Sequence, residues 1–162
     1  MLVQDESRLI IFLRICTVKP CSFNGVYQPS LLDTFANGKV LLLSYFYDRL
    51  NPLLNPSPTS QSPSSSSPIT VSTFATLAST VCLGRAAWMP QWGQHPAAME
   101  ELEGRPEYCL DLTFMYALLR FGYEFEDSRE VRLGKRLAGT ELGWCLGAVL
   151  ELVGAGEVTC RV

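Results

Sequence analysis

At 162 residues the chain is long enough for one domain with a real core, burying about 70% of its unfolded surface, and too short for two independent domains. It is 48% hydrophobic and 18% charged, which leaves apolar surface for a partner, and its net charge of −3 with scattered basic residues argues against nucleic acid. Six cysteines form no Cys-x-x-Cys and the one histidine is His95, so no metal site is predicted; disulfides in a secretory compartment are the better reading.

Residues 1–19 carry no clear period and are predicted to be disordered. The apolar run from Leu9 to Val18 is broken by Arg14 and falls short of the roughly 20 residues a bilayer needs. Asp5 and Glu6 stand where a signal peptide has basic residues, so neither a span nor a leader is expected. Residues 29–35 predict a short helix with Ser30 as N-cap and Asn37-Gly38 as its stop. The unbroken apolar and aromatic run within 39–49 reads as a strand covered on both faces, and Asp48 beside Arg49 as a local ion pair or, second to that, a site contact. Five prolines and a serine block make 51–68 a loop or insertion.

A helix follows over 70–83, with Val71, Phe74, Leu77, Ala78 and Val81 on one stripe and Thr70 or Ser72 as cap. Residues 85–106 are an aromatic, proline-rich excursion whose Trp88, Trp92 and His95 are read as surface packing. The spacing over 107–122 predicts a helix burying Leu110, Phe114, Ala117, Leu118 and Phe121, with Gly122 as stop and Asp111 favourable near the helix N-terminus. Residues 131–137 alternate as a strand. The basic group Arg129, Arg132, Lys135 and Arg136, preceded by acidic residues, reads as a solvated strand edge. A closing helix is predicted over 141–153, with Thr140 as N-cap.

Within that last segment Gly139, Gly143 and Gly147 recur every four residues, so Gly143 and Gly147 share a helical face that a flat ligand or a backbone can approach closely. Trp144 beside it offers a stacking face and one N–H donor. Cys145 reads as a buried small hydrophobe. The chain has no Asp-x-Gly, Gly-x-Gly-x-x-Gly or Gly-x-x-x-x-Gly-Lys-Ser/Thr loop, and Gly154-Ala155-Gly156 follows a predicted helix rather than opening one. Catalytic residues are therefore expected to be none, and phosphoryl transfer by this chain alone is not expected.

Four segments in order carry a resemblance: Pro20-Cys21-Ser22-Phe23-Asn24-Gly25-Val26-Tyr27-Gln28-Pro29, Ser44-Tyr45-Phe46-Tyr47-Asp48-Arg49, Tyr108-Cys109-Leu110-Asp111-Leu112-Thr113-Phe114, and the glycine-lined stretch 138–148. Together they resemble the C-terminal half of the apyrase-type nucleoside diphosphatase family, most nearly its guanosine diphosphatase branch in the fungal Golgi, over residues 20–50 and 69–162. The resemblance implies an α/β, partly ribonuclease-H-like domain of the actin, Hsp70 and hexokinase superfamily, a mixed sheet with helices. It implies hydrolysis of GDP to GMP and phosphate in the Golgi lumen in support of glycosylation, with Ca, Mg or Mn as divalent cation.

The family's phosphate loops, metal ligands and water-activating glutamate lie in an N-terminal half with no counterpart in these residues. The resemblance therefore implies that the chain supplies part of a nucleotide-binding wall, carried by Trp144, Tyr45, Tyr47, Tyr108, Gly143 and Gly147. It also implies a Cys82–Cys109 disulfide, contributing on the order of 3 kcal/mol, and leaves Cys21 without its partner. The expected partners are a nucleoside diphosphate and either the missing N-terminal half or a paralogous subunit. The family's N-terminal anchor is not matched, which fits truncation or a gene model that starts late. The alternative reading is a non-catalytic nucleotide-binding or regulatory fragment.

Overall fold

The computed structural model describes residues 21–22, 26–55, 68–137 and 140–141. Two short pairings flank a central unit. At one end β1 (Cys21–Ser22) pairs antiparallel with β2 (Val26–Tyr27), and at the other β6 (Arg136–Leu137) pairs antiparallel with β7 (Thr140–Glu141).

The central sheet has three strands, β3 (Val40–Leu42), β4 (Ile69–Thr70) and β5 (Glu130–Leu133), in the order β3-β5-β4. It is mixed: β3 runs parallel to β5, with Val40 opposite Val131, and β4 runs antiparallel, with Ile69 opposite Val131. A parallel pair needs a crossover, and everything from residue 43 to 129 forms it. Along β5, Val131 and Leu133 are buried while Glu130 and Arg132 are exposed, as a half-covered strand requires. Leu41 on β3 is likewise exposed between half-buried Val40 and buried Leu42, so this strand is covered on one face, not on both as its apolar run predicts.

The helices are α1 (Leu31–Thr34), α2 (Tyr45–Leu54), α3 (Val71–Cys82), α4 (Arg85–Trp92), α5 (Pro96–Gly104) and α6 (Tyr108–Ala117), which continues into a π-turn over Leu118–Gly122. Ser30 stands at the N-cap of α1 as predicted, though its hydroxyl makes no capping bond. The end of this short helix is held instead by Arg129, whose guanidinium donates to the carbonyls of Ala36 and Gly38 and lies over the Phe125 ring.

The predicted strand over 39–49 ends at Leu42. Ser44 takes a positive φ of 48° and turns the chain into α2, so Tyr45, Phe46 and Tyr47 are helical. A continuous apolar run fits a buried strand or a helix equally well, and here Phe46, Leu50, Leu53 and Leu54 meet the core at helical spacing. α2 also carries Pro52 and reaches Leu54, so the loop predicted from residue 51 starts later.

α3 follows its predicted stripe: Val71, Phe74, Leu77, Ala78 and Val81 are all buried, and Thr70 and Thr73 form a capping box. The aromatic excursion folds into α4 and α5. Trp92 is buried with its indole N–H donating to the Leu53 carbonyl at 2.9 Å, and Trp88 donates to Val81 at 2.9 Å, so both tryptophans pack the fold. His95 stands at the N-cap of α5.

α6 departs from its predicted face. Tyr108, Asp111, Leu112, Met115, Tyr116 and Ala117 are buried, whereas Leu110 and Phe114 are 66% and 49% exposed. The helix is apolar nearly all round, so periodicity offers two faces, and packing on α3 selects the second. Finally, Thr140 and Glu141 pair in register with Leu137 and Arg136 instead of opening a helix. A two-residue spacing that includes glycine suits a hairpin, and that preference outweighs the N-cap propensity of threonine. The rest of the predicted closing helix, 142–153, lies outside the described residues.

Candidate functional site

Helical spacing builds the site. On α2, Tyr45 and Arg49 lie four residues apart and share a face; on α6, Tyr108 and Asp111 lie three apart and share another. Arg105, just past the end of α5 in extended conformation, approaches the same carboxylate. A single oxygen, Asp111 Oδ2, lies 3.1 Å from Arg49 Nε and 2.8 Å from Arg105 Nε. The Arg105 N–H donates a directed hydrogen bond to it. The Arg49 N–H is not aligned for one, so that contact is Coulombic. Asp111 is the one buried charged residue among the described residues, and two guanidinium groups compensate it. The expected Asp48–Arg49 ion pair is thus replaced, because Arg49 turns inward to Asp111 while Asp48 faces solvent, and Asp111 has a tertiary role beyond the helix dipole.

Two tyrosines flank Arg49, whose Cζ lies 5.5 Å from the Tyr45 ring centre and 5.9 Å from that of Tyr108. Their settings differ. Tyr108 is fully buried and its hydroxyl donates to the Arg49 carbonyl at 2.9 Å, so it forms the floor that joins α6 to α2. Tyr45 is 37% exposed and presents the open ring. Burial, with the pull of Asp111 on its hydroxyl proton, pushes the Tyr45 phenol up to about 12. Burial, then the negative charge of Glu101, pushes Tyr108 up to about 12 as well. The hydrogen bond to Asp111 raises the Arg105 guanidinium further above its ordinary value.

Tyr47, two residues along α2 from Tyr45, is half-buried against the core, so the two tyrosines do not form one wall. Cys82 and Cys109 form a disulfide with Cα atoms 4.8 Å apart, which ties the end of α3 to the start of α6, next to Tyr108. Trp144, Gly143 and Gly147 lie outside the described residues. Arg105 and the Asp111 bridge were not singled out as site groups by sequence reasoning. Their one sequence signal was a charged residue within the otherwise apolar run of α6.

The cluster can stack a flat ring and donate from fixed guanidinium groups. It offers no nucleophile with an adjacent base, and Asp111 is neutralised by its two partners. Among the described residues, no three His, Cys, Asp or Glu side chains gather into a metal-ligating group. No helix among them is long and apolar enough to cross a membrane.

The chain is therefore an α/β domain with a small mixed sheet and helices. The sequence model of the GDA1/CD39 (nucleoside phosphatase) family matches residues 5–162, taking in most of the N-terminal segment, and the chain belongs to that family. It is 47% identical, over 91% of its length, to a protein named probable guanosine-diphosphatase from Aspergillus fumigatus, of which it covers 27%. Proteins named guanosine-diphosphatase from Saccharomyces cerevisiae and Schizosaccharomyces pombe are 40% and 41% identical over 91% and 85% of the chain, which covers 27% and 23% of them. The chain thus spans about a quarter of the length of the curated relatives it matches.

Proposed function

We propose that the chain is the C-terminal part of a nucleoside diphosphate phosphohydrolase that converts GDP to GMP and phosphate, and that it contributes the base-binding wall. The observation that carries this reading is the high identity to proteins named guanosine-diphosphatase across nearly the whole chain. The open Tyr45 ring beside Arg49 and Arg105 supports it, since an aromatic face is worth about 1–3 kcal/mol to a stacked base. Trp144, Gly143 and Gly147 complete the wall in this reading, Tyr108 buttresses it, and Tyr47 packs behind it. The fold belongs with the ribonuclease-H-like domains of the actin and Hsp70 superfamily. The enzyme works in the secretory pathway, in the Golgi lumen, with a divalent cation whose ligands, like the phosphate loops, belong to the remaining length of the enzyme or to a paralogous subunit.

A second reading, a non-catalytic nucleotide-binding fragment that docks on such a subunit, is favoured by one observation, the exposure of Leu83 just past α3 and of Leu110 and Phe114 on α6. In both readings the isolated chain binds GDP without turning it over. The test is phosphate release from GDP by the purified 162-residue chain with calcium, magnesium or manganese, together with calorimetric titration of GDP. Binding without phosphate release is expected. Metal-dependent phosphate release overturns the assignment of catalysis to other residues, and absence of binding overturns the base wall.

A further inference from the structure

Resting on the base-wall reading, we infer that Asp111 is a positioning residue that sets Arg105 to select guanine over adenine. Asp111 Oδ2 holds Arg105 by its Nε at 2.8 Å, and that bond leaves the two terminal nitrogens of the guanidinium for a second partner. Among the described residues no hydrogen bond or ion pair occupies those nitrogens, and the Arg105 side chain is 39% exposed. Tyr45, also part-exposed, lies against the Arg49 guanidinium that contacts the same carboxylate, so the ring and the Arg105 guanidinium gather around one anchor.

A planar pair of N–H donors matches the O6 and N7 acceptors of guanine. Adenine presents N7 and an N6 amino donor there, and the amino group opposes a guanidinium. Without an anchor, an exposed arginine samples many rotamers and discriminates weakly. Asp111 supplies the anchor from within the core, and Arg49 compensates the rest of its charge, so Arg105 is not drawn wholly inward.

The test is calorimetric titration of the 162-residue chain with GDP and with ADP. The wild type is expected to favour GDP about tenfold, the discrimination that one bidentate guanidinium–guanine pair supplies. Asp111→Asn should bring that ratio close to one chiefly by weakening GDP, and Asp111→Glu should restore part of it. Arg105→Ala, which removes the paired N–H donors altogether, should also abolish the preference. It carries the test if Asp111→Asn fails to fold. A wild type that binds both nucleotides equally, or an Arg105→Ala variant that keeps the preference, overturns the inference and leaves the base wall standing. A wild type that binds neither nucleotide overturns both.

Discussion

Asp111 draws two arginines and a tyrosine around one buried carboxylate, and the consequence at the scale of single residues is a displaced tyrosine titration. Both Tyr45 and Tyr108 are raised to about 12, the first by burial and Asp111, the second by burial and Glu101. A phenol is neutral below its pKa, so a raised value means that the folded state favours the protonated form. The resulting stability is complete below the ordinary tyrosine value near 10 and is lost as pH rises from about 10 to about 12. Ultraviolet titration of phenolate should show three groups lagging in the folded chain, since burial and the hydrogen bond to Asp127 raise Tyr116 as well, and the lag should vanish in urea. Tyr45→Phe should remove one of them. If every tyrosine ionises together in the folded chain, the packing around Asp111 is not as described.

Among the elements, α6 gives the sharpest contrast between alternation and packing. Leu112 is fully buried and Leu110 is 66% exposed, although they stand two residues apart on a helix apolar on most sides. Leu112→Ala should lower stability by about 3 kcal/mol, since a buried leucine truncation combines lost transfer energy with a cavity. Leu110→Ala should change it by less than about 0.5 kcal/mol. Urea denaturation of both variants decides the face, and the reverse order would restore the one the spacing predicts. α3 was legible because Thr70 opens it and serines and threonines mark its solvent side, which leaves one apolar stripe and no choice of face. The run from Val40 to Tyr47 was not, because its turn depends on the backbone of Ser44 rather than on glycine or proline. The site shows the same division. Tyr45 stood out as an aromatic in a distinctive segment, but the bond from Arg105 to Asp111 and the contact from Arg49 depend on three helices meeting, which no local pattern specifies.

For the molecule as a whole, the segment between Cys82 and Cys109 holds α4 and α5, and both ends are locked by the disulfide. Leu83 and Leu110 are highly exposed beside that lock, Cys82 is exposed and Cys109 partly covered, so the bridge itself lies at the surface of the packed helix pair. A disulfide acting mainly on the unfolded chain over a separation of 27 residues should contribute about 3 kcal/mol, a large part of the 5–15 kcal/mol that folded domains typically have. Replacing both cysteines by serine should therefore lower the denaturation midpoint strongly. It should also raise the m-value, because the unlinked unfolded chain exposes more surface. A native-state origin predicts a different pair of results, the same lower midpoint with an unchanged m-value. Guanidinium denaturation of wild type and double variant separates the two, and because Cys109 stands next to Tyr108, GDP titration of the folded double variant shows whether the lock also maintains the base wall.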